Sequence, residues 1–170
     1  DAPNPSFTFG TQLRDNLFWS FASGVPIWTA WECLTLWAYA NGWIAGIDPA
    51  TNPIWFAVLW FFVPLLHEFH FYCVHRLIHW PPLYARFHKV HHRNINPGPW
   101  SGISMHPVEH GFYFGTALIH FAIASHPVHV IFHLAFYGLY AITTHTGFEG
   151  FIFRNKKRLH LGNFHHQEQS

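Results

Sequence analysis

From Ile54 to Leu66 the chain is apolar without interruption, and the thirteen residues that follow, His67 to His79, are rich in histidine. A helix needs about 20 predominantly apolar residues to cross the hydrocarbon core of a bilayer. The stretch from about Pro53 to His79 is long enough, and so is an earlier one from about Leu17 to Ala40, which contains Pro26 and Glu32. Two further apolar stretches cover about Val108 to Ser125 and about Val128 to Thr144. They are short and carry histidines, and Ser125-His126-Pro127 between them supplies a breaker placed for a tight hairpin.

Only 10% of the residues are charged, against about a quarter in soluble domains, so the chain reads as solvated largely by lipid. The expected fold is all-α, an integral membrane bundle of about four transmembrane helices with a histidine-rich cap, formed as one domain over residues 1–170. Charge placement tests that layout independently. With four spans, all nine Lys and Arg residues fall on the side of the two termini and the loop between spans two and three. The opposite loop, Asn41 to Asn52, holds only Asp48. Cationic loops favour the cytoplasmic face, so both termini and the cap are expected there. Arg154 to Arg158 reads as an anchor to anionic headgroups.

A net charge of +1 without a basic stripe excludes a nucleic-acid partner. Cys33 and Cys73 lie inside apolar segments and read as packing thiols. The opening Asp1-Ala2-Pro3-Asn4-Pro5 lacks the basic region of a removable signal peptide and reads as a clipped or mid-protein start.

The chemistry-bearing pattern is His75-Arg76-Leu77-Ile78-His79 followed by His88-Lys89-Val90-His91-His92. Positions i and i+4 share a helix face, so His75 and His79 can converge on one metal, and His88 with His91 and His92 repeats that geometry. Five imidazoles within eighteen residues, at the mouth of a membrane helix, form a ligand set suited to iron or zinc. Glu68 falls on the face of His75 and His79, roughly 10 Å away along the helix at 1.5 Å per residue. That is too far to share their metal, and it points to a supporting or substrate-channel role. His67 and His70 read as hydrogen-bonding partners of a neighbouring helix. His120, His126, His129 and His133 belong to the opposite side of the membrane and are expected to pair at the hairpin.

His67-Glu68-Phe69-His70-Phe71-Tyr72-Cys73-Val74-His75-Arg76-Leu77-Ile78-His79 resembles the H-D-x-x-F-Y-x-x-H-R-x-x-H segment of the sterol desaturase/fatty acid hydroxylase superfamily. Phe87-His88-Lys89-Val90-His91-His92 is similar to its H-K-x-H-H box, and Ser104-Met105-His106-Pro107-Val108-Glu109-His110 to its H-P-x-E segment. Thr144-His145-Thr146-Gly147-Phe148-Glu149 falls where members supply a further histidine. The resemblance implies a histidine-bound pair of iron ions, with zinc a substitute, that activates O2 to hydroxylate or desaturate a lipid such as a sterol, a fatty acyl chain or a carotenoid. An external electron donor is implied as partner. Carried over residue by residue, the ligands would be His75, His79, His88, His91, His92 and His145, with His166 opening a third box. Glu149 stands where some relatives have another histidine. His106, Glu109 and His110 are weaker candidates, for fixing ring orientation.

The family closes its site with an H-x-x-H-H box after the last span. If His166 opens it here, Gln169 and Ser170 stand where the closing pair belongs. The box is therefore expected either to be truncated or to be lost. Loss would favour a rival reading, a non-catalytic homologue serving as a subunit of a larger membrane complex.

Overall fold

Thr11 lies extended ahead of the first helix, and its hydroxyl accepts from the Arg14 N–H, a cap that removes one orphan donor. The computed structural model describes residues 4–94 and 96–145, and over these the chain is helical, with one isolated bridge between Gly46 and Ser125 in place of any strand. Helix α1 (Gln12–Trp19) passes through a π-helical turn (Ser20–Gly24) straight into α2 (Val25–Ala40). Gly42, at φ 72°, ends α2 in the left-handed conformation that glycine adopts without penalty.

Helix α3 (Pro53–Ile78) is the long apolar element. The chain then turns at Pro81-Pro82 into α4 (Pro81–Leu83), a π turn (Tyr84–His88) and α5 (Lys89–His92). Proline at a first helical position costs nothing, because its missing N–H would be an orphan anyway. A short 3-10 turn (Pro99–Ser101) leads to α6 (Pro107–Phe114), which continues through a 3-10 turn (Gly115–Leu118) into α7 (Ile119–Ala122). Pro127 opens α8 (Pro127–Thr143), and the His126 ring caps it by accepting from the Val128 N–H at 3.2 Å. The hairpin breaker thus acts where its residues place it.

The core lies between α2, α6 and α8, built on Tyr113, Phe114, Ala117, Val130 and Leu134. Trp28 stacks on Phe114 with ring centroids 5.6 Å apart, and it fits because Gly138 faces it. Helix α3 packs at the side, against α6 and α8. The Tyr137 hydroxyl ties α8 to it by donating to the Pro64 carbonyl at 3.0 Å.

By length and composition α3 is the one described helix able to cross a membrane, with a mean hydropathy of 1.5, while α8, at 17 residues, is shorter. Only 17% of that apolar window is buried inside the chain, the opposite of a soluble core helix. Phe61 is 81% and Ile54 80% exposed. The first and third expected spans are each divided by a local change of helix type. Among the described residues, Lys and Arg gather at one end of the bundle, where Arg93 pairs with Asp15 at 3.9 Å. At the other end the 41–52 loop is pinned to the hairpin by Ser125, whose N–H donates to the Ala45 carbonyl at 3.1 Å.

Candidate metal centre

Two local repeats and one sharp turn assemble the site. His75 and His79 lie one turn apart at the end of α3, with Nε2 atoms 3.0 Å from each other. The Pro81-Pro82 turn folds the chain back, and His88 Nε2 comes to 3.2 Å from His79 Nε2. His92, one turn beyond His88, brings its Nε2 to 2.9 Å from that of His88. Three of these rings, His75, His79 and His88, hold their ligand nitrogens within 4.8 Å of one another, and His92 stands beside them in contact with His88.

Ligand nitrogens held about 2.1 Å from one ion stand ~3.0 Å apart at right angles and ~3.4 Å apart in a tetrahedron. The observed separations fall in and beside that range. A shared proton links only two nitrogens, whereas a cation with several coordination positions can satisfy the lone pairs of His75, His79 and His88 together. The donor set therefore fits a divalent first-row metal.

The tautomers are set from behind. Glu109, buried on α6, holds an oxygen 2.7 Å from His88 Nδ1. With the carboxylate accepting, His88 carries its proton on Nδ1 and leaves the Nε2 lone pair facing the cluster. A carboxylate behind a histidine in this way fixes ring orientation and raises ligand basicity. His145 repeats the device, with Nδ1 2.9 Å from the Ala141 carbonyl one turn earlier.

His91 is buried, and its ring lies 5.7 Å from those of His88 and His92 and 5.6 Å from that of His145, brought in at the end of α8. His91 thus links His145 to the first cluster. Gly102 permits that approach of α8, since a Cβ there would overlap the Ala141 carbonyl.

The remaining candidates separate clearly. His106 caps α6, its Nδ1 accepting from the Val108 N–H at 3.2 Å, with burial lowering its pKa below the ordinary imidazole value. His110 is engaged at both nitrogens, by the Ser23 hydroxyl at 2.9 Å and the Ile103 carbonyl at 3.0 Å. Neither joins the cluster. Glu68 is exposed on α3, in an electrostatic interaction with Tyr137 and Tyr113. Glu149, His166 and the anchor at 154–158 lie outside the described residues. Sequence reasoning missed Tyr84, whose ring lies 5.8 Å from His79 and 5.6 Å from His92. Its position inside the turn between the boxes is the one signal that could have suggested it.

Comparison with known proteins agrees with the histidine pattern. The profile of the family described as "Fatty acid hydroxylase" matches residues 60–170. A Delta(7)-sterol 5(6)-desaturase of Gibberella zeae is 38% identical over 55 residues, 32% of this chain and 17% of that protein. One from Candida dubliniensis is 33% identical over 79 residues, 45% of this chain and 20% of that protein. One from Eremothecium gossypii is 29% identical over 90 residues, 51% and 25% of the respective lengths. The matched segments thus span a quarter or less of these relatives. No solved structure matches.

Proposed function

The chain belongs to the fatty acid hydroxylase family, and from that premise we propose that it is a membrane oxidoreductase that hydroxylates or desaturates a lipid. The observation that supports this reading best is the clustering of ligand nitrogens from His75, His79 and His88 within 4.8 Å of one another, with His92 beside His88. In this proposal His75, His79 and His88, with His92 beside them, hold one metal, while His91 and His145 contribute to a second. The proposed domain is a single bundle of about four membrane helices, with its histidine-rich end and both termini in the cytoplasm.

Two iron ions bound there would supply O2 reduction coupled to oxidation of a lipid C–H bond, with electrons from an external donor. The rest is the work of this chain's residues. Glu109 holds the His88 proton at Nδ1, and the Ala141 carbonyl holds that of His145, so both rings present Nε2. Phe71, whose ring lies 5.4 Å from His75 and 5.9 Å from Tyr113, gives the cluster an apolar wall on the side of the bundle. An alkyl chain fits such a wall, whereas a polar metabolite would leave its own groups unpaired. The sterol desaturases among the relatives support a sterol as the substrate class to try first.

Elemental analysis of the detergent-purified protein tests the reading. The expected result is about two irons per chain, a marked loss in His79→Ala and His88→Ala, and retention in His110→Ala. An unaltered protein that binds no metal under iron-replete expression would overturn it.

A further inference from the structure

Besides His88 and His91 of the candidate metal centre, five histidines are buried among the described residues: His67, His110, His120, His129 and His133. Two of them are locked. His129 donates from Nε2 to the Phe56 carbonyl at 3.0 Å and accepts at Nδ1 from the His126 N–H at 3.2 Å. His110 donates from Nε2 to the Ile103 carbonyl and accepts at Nδ1 from Ser23. A carbonyl cannot donate and a backbone N–H cannot accept, so each ring is confined to one tautomer.

The other three lie in series. His67 Nδ1 is 3.1 Å from His133 Nε2, and His133 Nδ1 is 3.1 Å from His120 Nε2. His120 Nδ1 is 2.9 Å from the Ser125 hydroxyl, which in turn bonds the Tyr39 hydroxyl. Thr116 adds a second hydroxyl, 3.4 Å from His133 Nε2. Every partner in this row can both donate and accept, and two of the rings use both nitrogens. Only two arrangements satisfy all the contacts: the three rings carry their protons all on Nε2, or all on Nδ1.

We propose that Tyr39, Ser125, His120, His133 and His67 form a proton relay from the loop end of the bundle into its interior. When all three rings are protonated on Nε2, the Ser125 hydroxyl donates to His120 Nδ1. A proton entering there releases the one on His120 Nε2 to His133 Nδ1. That on His133 Nε2 passes to His67 Nδ1, and that on His67 Nε2 departs. Tyr39 resupplies Ser125, and solvent resupplies Tyr39. One proton enters and one leaves, no electrons move, and the rings finish protonated on Nδ1. The reverse hops, which restore Nε2 protonation, carry one proton back toward Ser125, so the row is a reversible proton wire.

The placement suits such a role. Ser125 is fixed to the 41–52 loop through its backbone, and His67 lies fourteen residues into α3, a depth of roughly 21 Å at 1.5 Å per residue. Ionisable chains inside membrane bundles commonly carry protons. Glu68 and His70 follow on α3, and His70 Nδ1 is buried without a partner among the described residues. His70, three residues on and therefore on the same helix face as His67, is the group placed to take the departing proton. The relay stops short of the metal cluster, because Phe71 and Tyr113 stand between, and it does not depend on the metal reading.

Nitrogen-15 NMR of histidine-labelled full chain in lipid bilayers tests it. The expected result is one shared tautomer for His67, His120 and His133. Their ring N–H groups should also exchange with deuterium at least about tenfold faster than those of His129 and His110, which exchange only when the structure opens. Ser125→Ala should slow His67 and His133 to the His129 rate. Mixed tautomers in the unaltered protein, or His133 exchange no faster than that of His129, would overturn the relay. Both readings come from the unaltered chain, so they decide the matter even if Ser125→Ala does not fold.

Discussion

His88 Nδ1 and a carboxylate oxygen of Glu109 lie 2.7 Å apart, joining the second histidine box to a helix twenty-one residues further along the chain. The other oxygen of Glu109 is buried and has no hydrogen-bond partner among the described residues, so His88 is the one such partner of this carboxylate there. Removing a partner of this kind typically costs about 10–100-fold in metal affinity. Glu109→Ala is therefore expected to weaken iron or zinc binding by about that factor, while Glu109→Gln, which keeps an acceptor oxygen, loses less. Chelator competition on purified protein measures both. Unchanged affinity in Glu109→Ala would show that His88 is oriented without it.

Trp28 and Gly138 form a second long-range match. A Cβ at Gly138 would lie 2.5 Å from the Trp28 ring, too close for any real contact. Overpacking of this kind costs about 1–3 kcal/mol. Gly138→Ala is expected to lower the midpoint of thermal unfolding followed by circular dichroism, and Trp28→Leu in the same chain should restore part of the loss. A Gly138→Ala protein as stable as the original would mean that α2 does not seat Trp28 against α8.

The exposed face of α3 bears on the membrane. An aspartate at the centre of a spanning helix costs about 2.5–3.5 kcal/mol of insertion free energy. Phe61, 81% exposed on α3, faces away from the rest of the chain. Phe61→Asp is expected to reduce insertion of the 53–78 segment in a microsomal glycosylation assay. Trp43→Asp, in the loop, should leave it unaffected. Equal insertion of both variants would argue that α3 is covered by protein and not by lipid.

Much of the architecture was legible because it is local. The apolar run of α3, the breaker at Ser125-His126-Pro127 and the i, i+4 pairs His75/His79 and His88/His92 each depend on residues within a turn or two. Backbone periodicity alone places such pairs on one face. The histidine pattern is also specific enough to carry the family resemblance by itself.

What the sequence could not settle is where one helix meets another. Glu109 and His110 are neighbours, yet helical phase turns one to His88 and the other to Ser23 and Ile103. His106, a weaker candidate than His91 in the sequence, caps a helix, while His91 meets His145 at the end of α8. The row His67–His133–His120 joins three separate helical segments, and no spacing along the chain announces it. These outcomes depend on helix phase and on close approach at Gly24, Gly102 and Gly138, where a missing Cβ lets the segments touch. Local propensity determined the helices and which residues share a face; only tertiary packing decided which faces meet, because that choice is made by contacts between residues far apart in the chain.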